Sequence, residues 1–233
     1  MTRNLVVGDI HGCYRAMRKL FDIVEPETDD VIVTLGDYCD RGPDTASVID
    51  WLINFSAKYQ LKPLRGNHDI MMLKADEDDG EFVQWLKVGG DTTLKSYSDG
   101  HIDEFAMSDI PQSHWRWLQE DLLPYYECDT HFFVHANAYP DVPLSEQPEF
   151  MLYWEKFEDP APHESGKVMV CGHTTQRSGQ PVTNGHSICI DTWAYGHGWL
   201  TCLDVDSGRI WQANELGKTR KYWLNDVPVL AET

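Results

Sequence analysis

Five short apolar runs, each stopping abruptly at glycine, aspartate, asparagine or histidine, constrain this chain more than any other feature. Residues 4–7 lead into Gly8-Asp9, 31–35 into Gly36-Asp37, and 61–65 into Gly66-Asn67-His68. Farther on, 132–134 lead into His135 and 167–170 into Cys171-Gly172-His173. Runs this short and rich in Val and Ile read as buried strands. Helical patterns separate the first three. Residues 13–24 put Met17, Leu20, Phe21 and Val24 on one stripe, and 43–59 open with Pro43 and carry Val48, Ile49, Leu52 and Ile53. Residues 70–123 read as mostly helical, most clearly at 81–88 and 111–123. Toward the end, 187–191, 199–206 and 209–214 read as consecutive strands, with Asp206-Ser207-Gly208 as a hairpin turn. Alternating βα units followed by antiparallel strands predict an α/β fold of sheets covered by helices.

No repeat, low-complexity stretch or linker divides the chain, so 233 residues are expected to form one domain, 1–233, with 70–123 as a helical insert. A chain of this size should bury about 70% of the surface that its unfolded form exposes, and needs no staples. The six cysteines include no C-x-x-C pair. No apolar run approaches the roughly 18 residues of a membrane span, and no signal region precedes the first strand. The expectation is a cytoplasmic protein with free thiols and no membrane partner. The formal charge is −19, from 38 acidic and 19 basic residues, which argues against a nucleic-acid partner and otherwise reads as solubility.

Ligands of open α/β folds collect where strands end at their carboxyl side. Taken singly, an aspartate there is commonly a turn or cap residue and a lone histidine a packed one. Five such ends in order point to a shared site. Two cations about 3.5–4 Å apart acidify a water and offset charge on a phosphoryl group under in-line attack. That arrangement needs a carboxylate shared by both ions, with imidazoles and oxygen donors around it. Asp9 and His11 can face one ion as the first strand runs out, and Asp37 can bridge. Asn67 offers an amide oxygen, and His135 and His173 close the second shell. Carboxylate with neutral imidazole suits manganese, iron or zinc better than magnesium or calcium.

The motifs GDIHG (8–12), GDYCDRGP (36–43) and LRGNHD (64–69), followed by VHAN and CGHT, resemble the calcineurin-like metallophosphoesterases. The likeness is greatest to the phosphoprotein phosphatase branch and its small bacterial members. The resemblance implies a two-sheet β-sandwich flanked by helices. It implies one ion on Asp9, His11 and Asp37, and another on Asp37, Asn67, His135 and His173. It also makes His68 the acid that protonates the leaving alkoxide, Asp40 the carboxylate that orients it, and Arg41 a phosphate clamp. Arg41, Asn67 and Lys156 are the expected substrate contacts. The expected partner is a phosphorylated protein (serine, threonine or tyrosine phosphate) acted on by a monomer. The alternative is a small phosphorylated molecule such as a dinucleoside polyphosphate.

The chain departs from that pattern in three places. Asp69 follows the GNH motif where Glu is commoner, which reads as a mild change behind the ligands. No arginine lies between His135 and His173, where relatives carry a further phosphate-binding one; Lys156 falls near that position, and a plain surface role for it is as good a reading. Trp193 stands where relatives tend to have glycine, with packing the simplest role. Two rivals are weaker. Cys171 with Arg177 has the C-x5-R-[ST] spacing of cysteine-dependent phosphatases, but Ser-Gly-Gln-Pro after Arg177 argues against the helix that such a loop needs. A non-catalytic phospholigand module would not need the complete ligand set.

Overall fold

The computed structural model describes residues 2–98, 106–227 and 229. The stretch 99–105 of the expected insert lies outside them. The chain begins β1 (Asn4–Val7), α1 (Tyr14–Val24), β2 (Val31–Thr34), α2 (Thr45–Ser56) and β3 (Gln60–Pro63). A helical stretch follows, with α3 (Asn67–Glu77), α4 (Asp79–Trp85), α5 (Asp91–Tyr97) and α6 (Gln112–Arg116). Next come β4 (Tyr125–Glu127), β5 (His131–Val134), α7 (Glu149–Tyr153), β6 (Val168–Cys171), β7 (Val182–Thr183) and β8 (Ser187–Cys189). The last strands are β9 (Leu200–Asp204), β10 (Arg209–Ala213) and β11 (Thr219–Trp223).

These strands form two mixed sheets, ordered β11-β10-β9-β1-β2-β3 and β4-β5-β6-β8-β7. Strands β1, β2 and β3 are parallel, as are β5, β6 and β8; the remaining pairings are antiparallel. Period-2 alternation sorts the side chains into layers. Val6, Val33, Phe133, Val170, Ile188, Leu203 and Ile210 meet in the core between the sheets. Leu5, Val7 and Ile32 point the other way, against Met17, Leu20, Val48, Ile49 and Leu52 of α1 and α2. On the far face, Phe132, Val134, Met169 and Cys171 pack with Leu144, Leu152 and Tyr153. The fold is the sandwich expected, although its second outer face is covered by the short α7 and irregular chain.

The strand runs fall where the apolar pattern puts them, and the turn at Asp206-Ser207-Gly208 joins β9 to β10 in register Asp204↔Arg209. The helix expected at 81–88 is α4 continued by a wider π-type turn, Leu86–Gly90, in which only Gly89 leaves helical backbone angles. Gly89 takes φ 122°, a conformation closed to most residues, and turns the chain back toward Arg41, whose N–H donates to its carbonyl. The helix expected at 111–123 is α6 continued by a wider π-type turn, Trp117–Asp121, after which Leu123 bonds to Pro63 and Arg65 beside β3.

Gly36 decides how Asp37 leaves β2. It sits at φ +100°, and a β-carbon there would lie 2.5 Å from Gly66 N. Gly36→Ala therefore forces the β2 and β3 exits apart. We expect a lower melting temperature and weaker metal retention in this variant, with a loss of at least about 1–2 kcal/mol from the left-handed backbone alone. Thermal melts with and without added manganese check both.

Candidate metal centre

Asp9, Asp37, Asn67, His135 and His173 leave five neighbouring strand ends and meet at one edge of the sandwich. The backbone is bent to bring them there. Among the described residues, His11, Asp37, Asp40, Arg41 and His173 are five of only seven non-glycine residues with positive φ. Such conformations cost on the order of 1–3 kcal/mol each and persist where the surroundings over-determine them.

Asp37 occupies the middle. Its Oδ2 lies 3.3 Å from His11 Nε2 and its Oδ1 lies 3.5 Å from His135 Nε2, so each oxygen faces a different imidazole. Backbone carbonyls set the rings. His11 Nδ1 donates to Cys39 O at 2.8 Å and His135 Nδ1 to Leu35 O at 2.8 Å, leaving each Nε2 with a lone pair directed inward. Arg41 Nη1 donates to His11 Nε2 at 2.9 Å, as that tautomer allows. His173 is turned over: Nε2 faces Trp154 O at 3.2 Å and Nδ1 points in.

His135 Nε2 and His173 Nδ1 each lie 2.9 Å from Asn67 Oδ1. With these tautomers all three are acceptors, an arrangement that a shared cation would reconcile. Burial lowers the pKa of His11, and burial beside His135 takes His173 down to about 4, so both rings are neutral and ready to ligate at pH 7. Burial raises Asp37, but the surrounding imidazoles outweigh it and hold the carboxyl below its ordinary range. Asp9 Oδ1 is buried without a hydrogen-bond partner, while Oδ2 takes the His173 N–H at 2.9 Å. The donor set fits divalent ions.

Distance alone groups His11, Asp37 and His68, and separately Asp9, Asp37 and His135, with ligand atoms within 4.8 Å in each group. His68 is the poorer ligand of these. Its Nδ1 donates to Asp40 Oδ2 at 2.6 Å. Burial would lower its pKa, but Asp37 and Asp40 outweigh burial and raise it, which favours the protonated ring over one with a lone pair to give. Asp40 is held in turn by Trp85 Nε1, which donates at 2.9 Å, and Thr93 Oγ1, which donates at 2.8 Å. Arg41 rests 4.8 Å above the Tyr195 ring, which meets His11 edge-on.

This geometry has counterparts among known proteins. A family model described as calcineurin-like phosphoesterase matches residues 2–198. The chain belongs to that family. It is 29% identical over 209 residues to "Serine/threonine-protein phosphatase 1" of Salmonella typhimurium, covering 86% of this chain and 90% of that protein. It is 42% identical over 137 residues to "Bis(5'-nucleosyl)-tetraphosphatase, symmetrical" of Nitrosospira multiformis, covering 58% of this chain and 43% of that protein. A solved cold-active protein tyrosine phosphatase superimposes with a TM-score of 0.65 at 14% identity, over 97% of this chain and 80% of that one, a likeness of fold alone. The chain is a metallophosphoesterase, an enzyme of phosphoester hydrolysis in a metal-dependent family. No helix among the described residues is long and apolar enough to cross a membrane.

Several residues of this metallophosphoesterase escape sequence reasoning. Asp69 reads in sequence as a mild replacement behind the ligands; in the structure it is fully buried and accepts from Gly66, Asp37 and Tyr38 N–H at 2.8–3.0 Å, tying β3's exit to β2's. Trp85 and Thr93 carried no signal, since their bonds to Asp40 span 45 and 53 residues. Trp193 adopts φ 66°, in keeping with a position where relatives have glycine, and its ring meets His197 edge-on with Arg177 5.7 Å from it. Lys156 is exposed; its carbonyl accepts from Asn137, and its ammonium makes no hydrogen bond or ion pair among the described residues. Cys171 lies inside β6, fully buried, its thiol pushed up by burial and by Cys189, with no helix after it. That is the wrong setting for a nucleophilic thiolate.

Asp69 serves three donors with two oxygens, and burial next to Asp37 raises its pKa to about 7. An amide can accept on one side only. Asp69→Asn is expected to lose about 1–3 kcal/mol, the range for leaving a buried donor unpaired, and chemical denaturation of the metal-free protein measures it.

Proposed function

We propose that this metallophosphoesterase is a dinuclear phosphomonoesterase that acts on serine or threonine phosphate, and tyrosine phosphate, in proteins. The observation that carries the reading is Asp37, with one oxygen toward His11 and the other toward His135, beside the His68–Asp40 pair. Asp9, His11 and Asp37 would hold one ion, and Asp37, Asn67, His135 and His173 the other. Two divalent ions, manganese or else iron or zinc, would supply an acidified water and offset the negative charge of the phosphoryl oxygens.

The protein's own groups do the rest. The Arg41 guanidinium clamps phosphate oxygens through its planar fork, with Tyr195 beneath it, and Asn67 and Lys156 are the further substrate contacts. As the ester P–O bond breaks, the proton on His68 Nε2 passes to the leaving oxygen. Asp40 keeps that ring charged and oriented. The Salmonella relative, aligned over 90% of its length, favours a protein substrate. The second reading, a dinucleoside polyphosphate hydrolase, draws on the tetraphosphatase match and on the half-buried aromatic rings of Trp193 and Tyr195, the latter beside Arg41 and His11. A cytoplasmic monomer completes the proposal.

Hydrolysis of a chromogenic aryl phosphate tests it. Chelation and Asp37→Asn should abolish turnover, added manganese should restore the wild type, and Cys171→Ser should stay active. His68→Asn should lose about 10²–10⁴-fold in kcat, the usual weight of a general acid. Because the His68 pKa is raised, activity should fall only on the alkaline side of the ordinary histidine range, and Asp40→Asn should move that fall to lower pH. Activity that survives chelation and disappears with Cys171 sinks the metal mechanism. Higher kcat/KM on diadenosine tetraphosphate than on phosphopeptides replaces the protein substrate by the dinucleotide.

A further inference from the structure

Asp191 is a buried carboxylate that the reaction described above does not use. It leaves the second sheet just after β8, two residues beyond Cys189. The chain before it is pressed against the chain before Asp9. A β-carbon on Gly8 would lie 2.6 Å from Ile190 O, so the residues following Gly8 and Ile190 emerge side by side from different sheets. Asp191 is 2% exposed, like Asp9. Its Oδ1 accepts the Trp193 N–H at 3.1 Å, an ordinary turn contact. Its Oδ2 has no hydrogen-bond partner. Among the described residues, that atom and Asp9 Oδ1 are the only buried carboxylate oxygens left so.

A turn residue explains Oδ1 and leaves Oδ2 unexplained. Burying an unpaired carboxylate is costly, and a second carboxylate beside it adds repulsion. The ionisable groups near Asp191 are Asp9, Asp37, Arg41 and the thiols of Cys13 and Cys171, and the Thr175 hydroxyl approaches the carboxylate without completing a hydrogen bond to Oδ2. Asp191 is absent from both groups of residues whose ligand atoms lie within 4.8 Å of one another. It therefore stands behind the ligands.

We infer that Asp191 is a positioning residue of the metal centre, an outer carboxylate whose free oxygen holds the ion bound by Asp9, His11 and Asp37 without ligating it. The inference rests on the dinuclear reading. The second negative charge strengthens the electrostatic hold on that ion, and the ion in turn relieves the repulsion between Asp9 and Asp191. Groups behind metal ligands typically change affinity by about 10–100-fold when removed.

Asp191→Asn separates this role from a structural one. It keeps an oxygen for the Trp193 N–H and removes only the charge; Asp191→Ala removes both. Metal-free wild type and variants are titrated with manganese by calorimetry, and free aqueous manganese is counted by electron paramagnetic resonance. Wild type should take two ions per chain. Asp191→Asn should weaken one of them about 10–100-fold and leave the other unchanged, with the melting temperature of the metal-free protein equal or higher. Unchanged affinity at both sites overturns the inference, as does a rise in KM alone, which would assign Asp191 to Arg41. Loss of both ions together with a lower metal-free melting temperature in both variants overturns it too, in favour of a structural residue. A wild type that binds fewer than two ions fails the dinuclear reading itself, which is a different result from two ions held equally well by both proteins.

Discussion

Everything at the sheet edge depends on Asp37 pointing its two oxygens at two different imidazoles. The position is unfavourable in isolation: a left-handed backbone at φ 53°, a glycine before it that tolerates no side chain, and a carboxylate almost wholly removed from water. Three arrangements hold it. Asp69 takes the Asp37 N–H, the His68 N–H donates to Asp37 Oδ1 at 3.0 Å, and Gly66 lets β3's exit pass close against it. Breaking any one of them moves the shared ligand, and both halves of the centre move with it.

The electrostatics follow from that geometry. Asp9, Asp37, Asp40, Asp69 and Asp191 are all nearly or fully buried around one point, and His11, His135 and His173 turn lone pairs toward it. Burial pushes the Asp9 and Asp191 carboxyls up, and each is pushed further by neighbouring carboxylates. An apolar core would have been cheaper to fold. Concentrated negative charge with inward lone pairs is the form that a protein takes where cations complete the structure. The net charge of −19, by contrast, needs only solubility as its reason.

The strand ends were legible in sequence because their signal is local. A short apolar run and the polar residue that stops it sit next to each other, and glycine marks the tight exits. The sandwich was legible only through the family resemblance, since β1, β5 and β6 are apolar and buried on both faces and carry no alternation that tells one sheet from two. What was not legible lies in long-range bonds. Nothing within ten residues of Trp85 or Thr93 hints at Asp40, and β11, with only alternate residues half-buried, carries little apolar pattern. Asp191 carries no sequence signal for a related reason. One aspartate after a strand is ordinary, and only its position across from Asp9 makes it otherwise.

The bonds from Trp85 and Thr93 give the helical stretch after β3 a chemical role beyond covering the sheet. Trp85 and Thr93 lie on either side of the Gly89–Gly90 turn, and a β-carbon on Gly90 would strike the Trp85 ring. That turn also accepts the Arg41 N–H. An indole N–H can only donate, so Asp40 meets it as an acceptor, as it meets the Thr93 hydroxyl and His68. A carboxylate ringed by donors favours a protonated His68 and fixes which nitrogen faces the substrate. The same few residues therefore set the proton of His68 and the direction of Arg41. A change around Trp85 and Thr93 should act on the leaving group and the phosphate clamp together, while the metal ligands that follow β1, β2, β5 and β6 stay where they are.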